Sequence, residues 1–307
     1  MKPTVSVIIA TYNRAYLIGR AIKSILDQTF QDFELIIVDD GSSDNTKELI
    51  TKYMQEDPRI KYIKNKRNLG LPKTRNEAIK VAQGKYIGLL DDDDEWLPNK
   101  LEKQVNKFQS TPKTVGLVYC GLIYISRNEK PSKTIIPKLK GNLFTDILKG
   151  NFFGSSTPLI KKECFEKSGF FDGNFSNGED WDMWIRISKN YEIDYVPEAL
   201  TLYYVHGNQM SANFNDTIEG FEKILKKHNE DINNYPSVYS THLFRLGIFH
   251  CLNENFKCGQ KYFTKSIKIK PQIKAYLNNF LLKIAPTTYK KILFFLIKRF
   301  TVTGLFI

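Results

Sequence analysis

Residues 86–97 read YIGLLDDDDEWL, four aspartates and a glutamate set directly against an apolar run. Neighbouring like charges repel, and each carboxylate needs water, a cation or a hydrogen-bond donor to stay ionised. The run Tyr86-Ile87-Gly88-Leu89-Leu90 is short, apolar and closely preceded by Gly84, which suits a strand covered on both faces in a parallel sheet. Most acidic runs are solvated loops. One that starts at the last residue of a buried strand lies where open α/β sheets gather ligands, beyond the carboxyl ends of their strands. Carboxylates at that edge suit a divalent cation and, through it, a phosphate.

Outward from this stretch, residues 4–110 alternate strand and helix signals. Val5-Ser6-Val7-Ile8-Ile9 reads as a buried strand, after which Leu17, Ile18, Ala21, Ile22, Ile25 and Leu26 recur at helical spacing. Residues 34–38 form the next strand, followed by Asp39-Asp40-Gly41-Ser42-Ser43-Asp44, a turn whose side chains suit a helix cap. Residues 60–63 are a third strand, a helix over 74–83 stops at Gly84, and 85–90 is a fourth strand. This alternation predicts right-handed βαβ units and a parallel sheet. Further on, Leu101, Val105 and Phe108 mark a helix, 115–126 a strand, GEDWDMWIRIS at 178–188 a helix and 193–196 a strand. Residues 127–178 carry several glycines and a Ser-Ser-Thr-Pro turn without clear periodicity.

At 307 residues, 42% hydrophobic and 25% charged, the chain reads as one large globular domain with an appendage. Cys120, Cys164, Cys251 and Cys258 form no CxxC pair and no compact framework, which points to a reducing compartment. No HExxH pattern is present, which argues against a zincin-type site. The N-terminal VSVIIA runs into Thr11-Tyr12-Asn13-Arg14 with no cleavage site and reads as a strand, not a signal peptide. No stretch reaches the roughly 18 apolar residues that a membrane span needs, so a cytoplasmic protein is expected. The net charge of +12 is uneven, with 15 Lys/Arg against 6 Asp/Glu from residue 216 onward and no acidic residue after Glu254. A basic helical end of this kind suggests an anionic partner.

Several residues invite a functional and an ordinary reading side by side. Tyr12, leaving the first strand, can stack on a base or sit in a plain turn. Asp40, with Asp39 at the end of the second strand, can cap a helix or accept from a uracil imide. Arg75 lies near a helix start where guanidinium and backbone N–H groups suit a diphosphate, whereas position alone favours a solvated arginine. Glu179 and Asp180 open an amphipathic helix, as the helix dipole favours, or supply a general base. His206 is a surface loop residue or a neutral ligand to metal or phosphate. Residues 240–271 are spaced like one tetratricopeptide-type helix hairpin.

Taken in order, VSVIIATYNR, ELIIVDDGSSDNT, RNLGLPKTRNEAI, GKYIGLLDDDDEWLPNKLE and GEDWDMWIRIS resemble the inverting family 2 glycosyltransferases of the GT-A fold. The resemblance spans about residues 3–210. It implies an α/β, Rossmann-like, mostly parallel sheet flanked by helices, with residues 1–215 catalytic and 216–307 a basic helical extension. It further implies a nucleotide-sugar donor, UDP-linked in the first instance, with Asp40 and Asp39 near the base, Thr11, Tyr12 and Arg14 beside it and Arg75 near the diphosphate. The family's D-x-D falls on Asp91-Asp92-Asp93, placing Asp91 near the ribose and Asp93 on Mg²⁺ or Mn²⁺; Asp92 and Asp94 leave a register shifted by one residue open. The family's late histidine falls on His206, a further metal ligand, and its base on the Glu179-Asp180 pair, best on Asp180. The implied activity is hexosyl or N-acetylhexosaminyl transfer to a hydroxyl of a glycan or lipid-linked glycan in surface polysaccharide synthesis. Transfer to polyprenyl phosphate and a non-catalytic scaffold are the alternatives. For the basic tail, Ile292 to Ile297 between lysines suggests peripheral contact with an anionic membrane surface or packing on protein; no nucleic-acid partner is expected.

Overall fold

A computed structural model describes residues 2–206 and 213–300, with 294–300 described by backbone alone. The chain divides into two compact units. The first comprises Met1–Phe144, Phe152–Asn174 and Asp182–His206; the second comprises Thr145–Asn151, Phe175–Trp181 and Gly207–Ile307.

In the first unit β1 (Val5–Thr11), β2 (Phe33–Asp39), β3 (Ile60–Lys64) and β4 (Tyr86–Leu89) form a parallel sheet in the order β3-β2-β1-β4. Every residue of β1, β2 and β4 is buried, which is why these strands are apolar runs with little alternation. The crossovers are α1 (Ala15–Leu26), α2 (Thr46–Glu56) and α3 (Leu71–Val81). Helix α1 buries Ile18, Ala21, Ile22 and Ile25 against Val5, Val7, Ile9, Leu35 and Ile37 in one core.

Beyond β4 the chain passes through β5 (Glu95–Trp96) and α4 (Lys100–Gln109) to β6 (Val115–Ile125), β7 (Pro131–Ile135), β8 (Leu159–Lys161) and β9 (Glu192–Tyr204). The sheet continues β4-β8-β6-β9-β5, with β7 paired to β6. Strand β8 is antiparallel to both β4 and β6, whereas β6 and β9 run parallel over their length. This is the mixed, mostly parallel GT-A sheet that the motifs implied. Two sequence-level boundaries shift. Helix α3 starts at Leu71 behind Gly70, whose φ is 87°, and is capped at Ala82, so Gly84 does not end it. A Cβ on Gly84 would stand 2.5 Å from the Ser6 backbone nitrogen; the glycine permits close packing on β1. The unpatterned segment 127–178 proves to be several short elements, among them α5 (Phe144–Lys149) and α6 (Lys162–Ser168), each too brief to show a period.

The second unit is helical. It holds α8 (Phe214–Lys227), α9 (Asn229–Asn233), α10 (Pro236–Leu252), α11 (Phe256–Ile269), α12 (Ile273–Ile284) and α13 (Pro286–Phe300), together with α5 from Thr145 onward and the start of α7 (Glu179–Ser188). Helices α10 and α11 meet at Gly247 and Gly259, where an added Cβ would approach Phe263 or Cys251 to 2.5 Å or less. Phe263, Leu252 and Leu282 belong to this unit's apolar cluster. Of the apolar tail segment 292–297, Leu293 is buried and Ile292 is exposed; the side chains of 294–297 lie outside the described residues. No described helix is long and apolar enough to cross a membrane.

Candidate active site

The carboxyl ends of β1, β2 and β4 are locked side by side, which decides where the aspartate run emerges. Thr11 pairs with Asp39 in the ladder, Asp40 N–H donates to Thr11 O at 2.8 Å, and Leu90 N–H donates to Ile8 O at 3.0 Å. Asp91 to Asp94 therefore leave the sheet next to Thr11-Tyr12-Asn13-Arg14.

Each acidic residue of the run is compensated, which answers why so many stand together. Asp91 Oδ1 accepts from Arg75 Nη2 at 2.5 Å and Asp91 Oδ2 from Ser155 Oγ at 2.7 Å. Asp92 accepts from Thr11 Oγ1 at 2.7 Å and Arg14 Nη1 at 2.8 Å. Asp93 Oδ2 accepts from the same Arg14 nitrogen at 2.8 Å and lies 2.8 Å from His206 Nε2. Asp94 accepts from Ser156 Oγ at 2.7 Å and Tyr204 N–H at 3.3 Å. Arg20 Nε stands 2.9 Å from Glu95 Oε1. Arg75 is only 3% exposed, so it is not a solvated helix arginine.

Burial, with the charge of Asp93, pushes the Asp92 carboxyl up to about 6 despite Arg14 and Thr11. Burial and the charges of Asp91 and Asp93 push Asp94 well above the usual carboxylate range. Burial works against the Arg14 charge, yet Asp92 and Asp93 outweigh it and raise its pKa. Burial and mutual repulsion thus disfavour the charged forms of Asp92 and Asp94, and a cation beside them would favour ionisation. Asp91, Asp93 and Asp94 offer oxygens within 4.8 Å of one another, and three hard oxygen donors suit Mg²⁺ or Mn²⁺. In this converging set Asp94 stands where the sequence suggested His206; His206 reaches the set through Asp93.

On the β2 side, Asp39 is buried and accepts from Ser42 N–H at 2.7 Å and Tyr62 Oη at 2.6 Å. Asp40 accepts from Asn65 Nδ2 at 2.8 Å and from the Leu69 and Gly70 N–H groups at 2.9 Å, bracing the loop that leads into α3. Both carboxylates organise the walls here. Tyr12 is 45% exposed, an aromatic face open for stacking. Asn13, with φ of 53°, ties the β1 and β2 loops together by donating from N–H to Ser42 Oγ and accepting from Ser43 N–H, both at 2.8 Å.

In the second unit, Asp180 sits in the first turn of α7, half-buried, and accepts from Asn151 Nδ2 at 2.9 Å. Glu179 beside it is buried. The neighbouring Trp181 donates from Nε1 to Ile147 O at 2.6 Å, holding the start of the helix.

Ser155 and Ser156 were not among the candidates read from sequence. Ser156 Oγ touches Asp94 and receives Asp91 N–H at 3.1 Å, while its carbonyl accepts from Trp96 Nε1 at 2.7 Å. Their one signal was the Ser-Ser-Thr-Pro turn, and nothing local tied it to the aspartates.

Clustered carboxylates and arginines at the strand edge of a mostly parallel α/β sheet mark a ligand-binding edge, and the family follows from comparison. The glycosyl transferase family 2 profile matches residues 6–169, and the chain belongs to this family of glycosyltransferases. An uncharacterized glycosyltransferase of Methanocaldococcus jannaschii is 36% identical over 214 residues, covering 66% of this chain and 71% of the relative. The Escherichia coli UDP-Glc:alpha-D-GlcNAc-diphosphoundecaprenol beta-1,3-glucosyltransferase WfgD is 31% identical over 192 residues, covering 62% of this chain and 72% of the relative. Among solved structures, S. aureus TarS 1-349 in complex with UDP-GlcNAc shares the fold with a TM-score of 0.68 at 19% identity, covering 99% of this chain and 92% of that one.

Proposed function

We propose that this glycosyltransferase moves a sugar from a UDP-sugar donor to a hydroxyl of a lipid-linked glycan in polysaccharide biosynthesis, with inversion at the anomeric carbon. The observation that carries the reading is the convergence of Asp91, Asp93 and Asp94 beside Arg14 and Arg75 at the strand edge. The printed activity of the E. coli relative, a UDP-sugar donor with a diphosphoundecaprenol-linked acceptor, supports the choice of donor and acceptor class.

Tyr12 stacks on the base, and Asp39 and Asp40 shape the loops around it. Arg75 and Arg14 face the diphosphate, where guanidinium groups offset charge bidentately. Asp91, Asp93 and Asp94, with His206 orienting Asp93, would hold a Mg²⁺ or Mn²⁺ ion, which would supply Lewis-acid neutralisation of the diphosphate leaving group. Asp180 takes the proton from the acceptor hydroxyl as its oxygen bonds to the anomeric carbon and the diphosphate departs, a single displacement with no covalent enzyme intermediate. Glu179, buried next to it, sets the charge environment of that base.

The test is incubation with UDP-, GDP- and dTDP-sugars and a diphosphate-lipid-linked GlcNAc acceptor, with the anomeric configuration of the product read by NMR. Inverted product from a UDP-sugar supports the reading; a retained configuration, or transfer from no UDP-sugar, overturns it.

A further inference from the structure

Helix α12 presents a continuous apolar face to solvent. Ile273, Tyr276, Leu277, Phe280, Leu281 and Ile284 are 80%, 52%, 56%, 61%, 42% and 65% exposed. Their spacing of i, i+3, i+4, i+7, i+8 and i+11 sets them in one stripe. The opposite side is already satisfied, since Ala275 and Leu282 are buried and Leu282 packs in the cluster with Ile248, Cys251 and Phe263. Single exposed apolar residues need no explanation, whereas six on one face mark an interaction surface.

Charge selects the occupant. At about 100° per residue, Lys274 and Lys283 fall at the two borders of the stripe; the Lys274 ammonium also stands 4.7 Å over the Phe244 ring. After Glu254 the sequence holds 11 Lys/Arg and no Asp or Glu. A second copy docked on this face would set one lysine-rich segment against another, a like-charge juxtaposition that opposes association. An anionic bilayer surface meets both features at once: the stripe enters the acyl boundary while the flanking lysines stay among the headgroups.

We propose that the exposed face of α12 is an interfacial docking surface for an anionic lipid membrane. It rests on this helix and its charges alone, independently of the sugar-transfer reading. It sets a membrane contact on the helix that precedes the terminal segment suggested by sequence.

The test is flotation of the full chain with phosphatidylcholine vesicles, with and without phosphatidylglycerol. Binding is expected only to the phosphatidylglycerol vesicles and weakens as salt rises from about 0.1 M to about 0.5 M. Replacing two exposed residues, Leu277→Ser with Phe280→Ser, is expected to lower partitioning on the order of tenfold with an unchanged melting curve. Phe280→Trp is expected to shift its emission to the blue on addition of phosphatidylglycerol vesicles. No binding of the full chain to these vesicles, or equal binding by the double variant, overturns the proposal. So does a dimer in light scattering that the double variant abolishes without any vesicle binding, which would assign the face to a second copy.

Discussion

His206 Nε2 lies 2.8 Å from Asp93 Oδ2, the same oxygen that accepts from Arg14 at 2.8 Å. A residue from the end of β9 and one from the turn after β1 thus converge on a single carboxylate oxygen. If Asp93 holds the cation and His206 orients it, the two variants differ in size of effect. Asp93→Ala is expected to weaken Mn²⁺ binding by more than about 100-fold, and His206→Ala by about 10- to 100-fold, the usual range for an outer-shell partner. Electron paramagnetic resonance of free Mn²⁺ checks both.

Ser156 supports Asp94 from the buried side with a 2.7 Å hydrogen bond. Ser156→Ala leaves a buried carboxyl oxygen without that donor, which costs about 1–3 kcal/mol. A lowered denaturation midpoint is expected, together with weaker Mn²⁺ binding; an unchanged midpoint contradicts the role.

Asp180 carries the proton in the proposed reaction. Asp180→Asn preserves shape and the hydrogen-bonding position beside Asn151 but cannot accept the proton. Donor binding by calorimetry is expected to stay within about twofold, while transfer falls by about 10²- to 10⁴-fold, the contribution of a general base.

His242 gives a pH signature of its own. Its Nε2–H donates to Leu148 O at 2.8 Å, and its ring stacks on Trp181. Burial draws its pKa down to about 4, below the roughly 6.5 of an unfolded histidine. Between these values the unfolded chain binds a proton that the folded one refuses, so stability is fully present above about pH 6.5 and is lost as pH falls toward 4, by on the order of 3 kcal/mol. His242→Gln keeps a donor for Leu148 O and does not titrate. Its denaturation midpoint is expected to fall less than that of the native chain between about pH 7 and about pH 4.5.

Strands β1, β2 and β4 were legible because burial on both faces leaves continuous apolar runs, and α1 because it repeats Ile18, Ile22 and Ile25 at helical spacing. The edge aspartates were legible for the same reason, since they follow the last buried residue of β4. What could not be read is long-range. Ser155 and Ser156 stand 64 and 62 residues from the aspartates they contact, and no local period records such a meeting. Arg75 looked like any helix arginine until its burial and its pair with Asp91 were seen. The apolar face of α12 escaped notice because its residues are as apolar as a core stripe, and only exposure separates the two.

The edge aspartates are proposed to hold a metal-bound nucleotide diphosphate. Calorimetric binding of UDP-GlcNAc and UDP-glucose, with and without Mn²⁺, tests this most directly when the native chain is compared with Asp93→Ala. Mn²⁺-dependent binding by the native chain, lost in Asp93→Ala, is the expected result; binding indifferent to both Mn²⁺ and the Asp93 carboxylate contradicts this role for the aspartates.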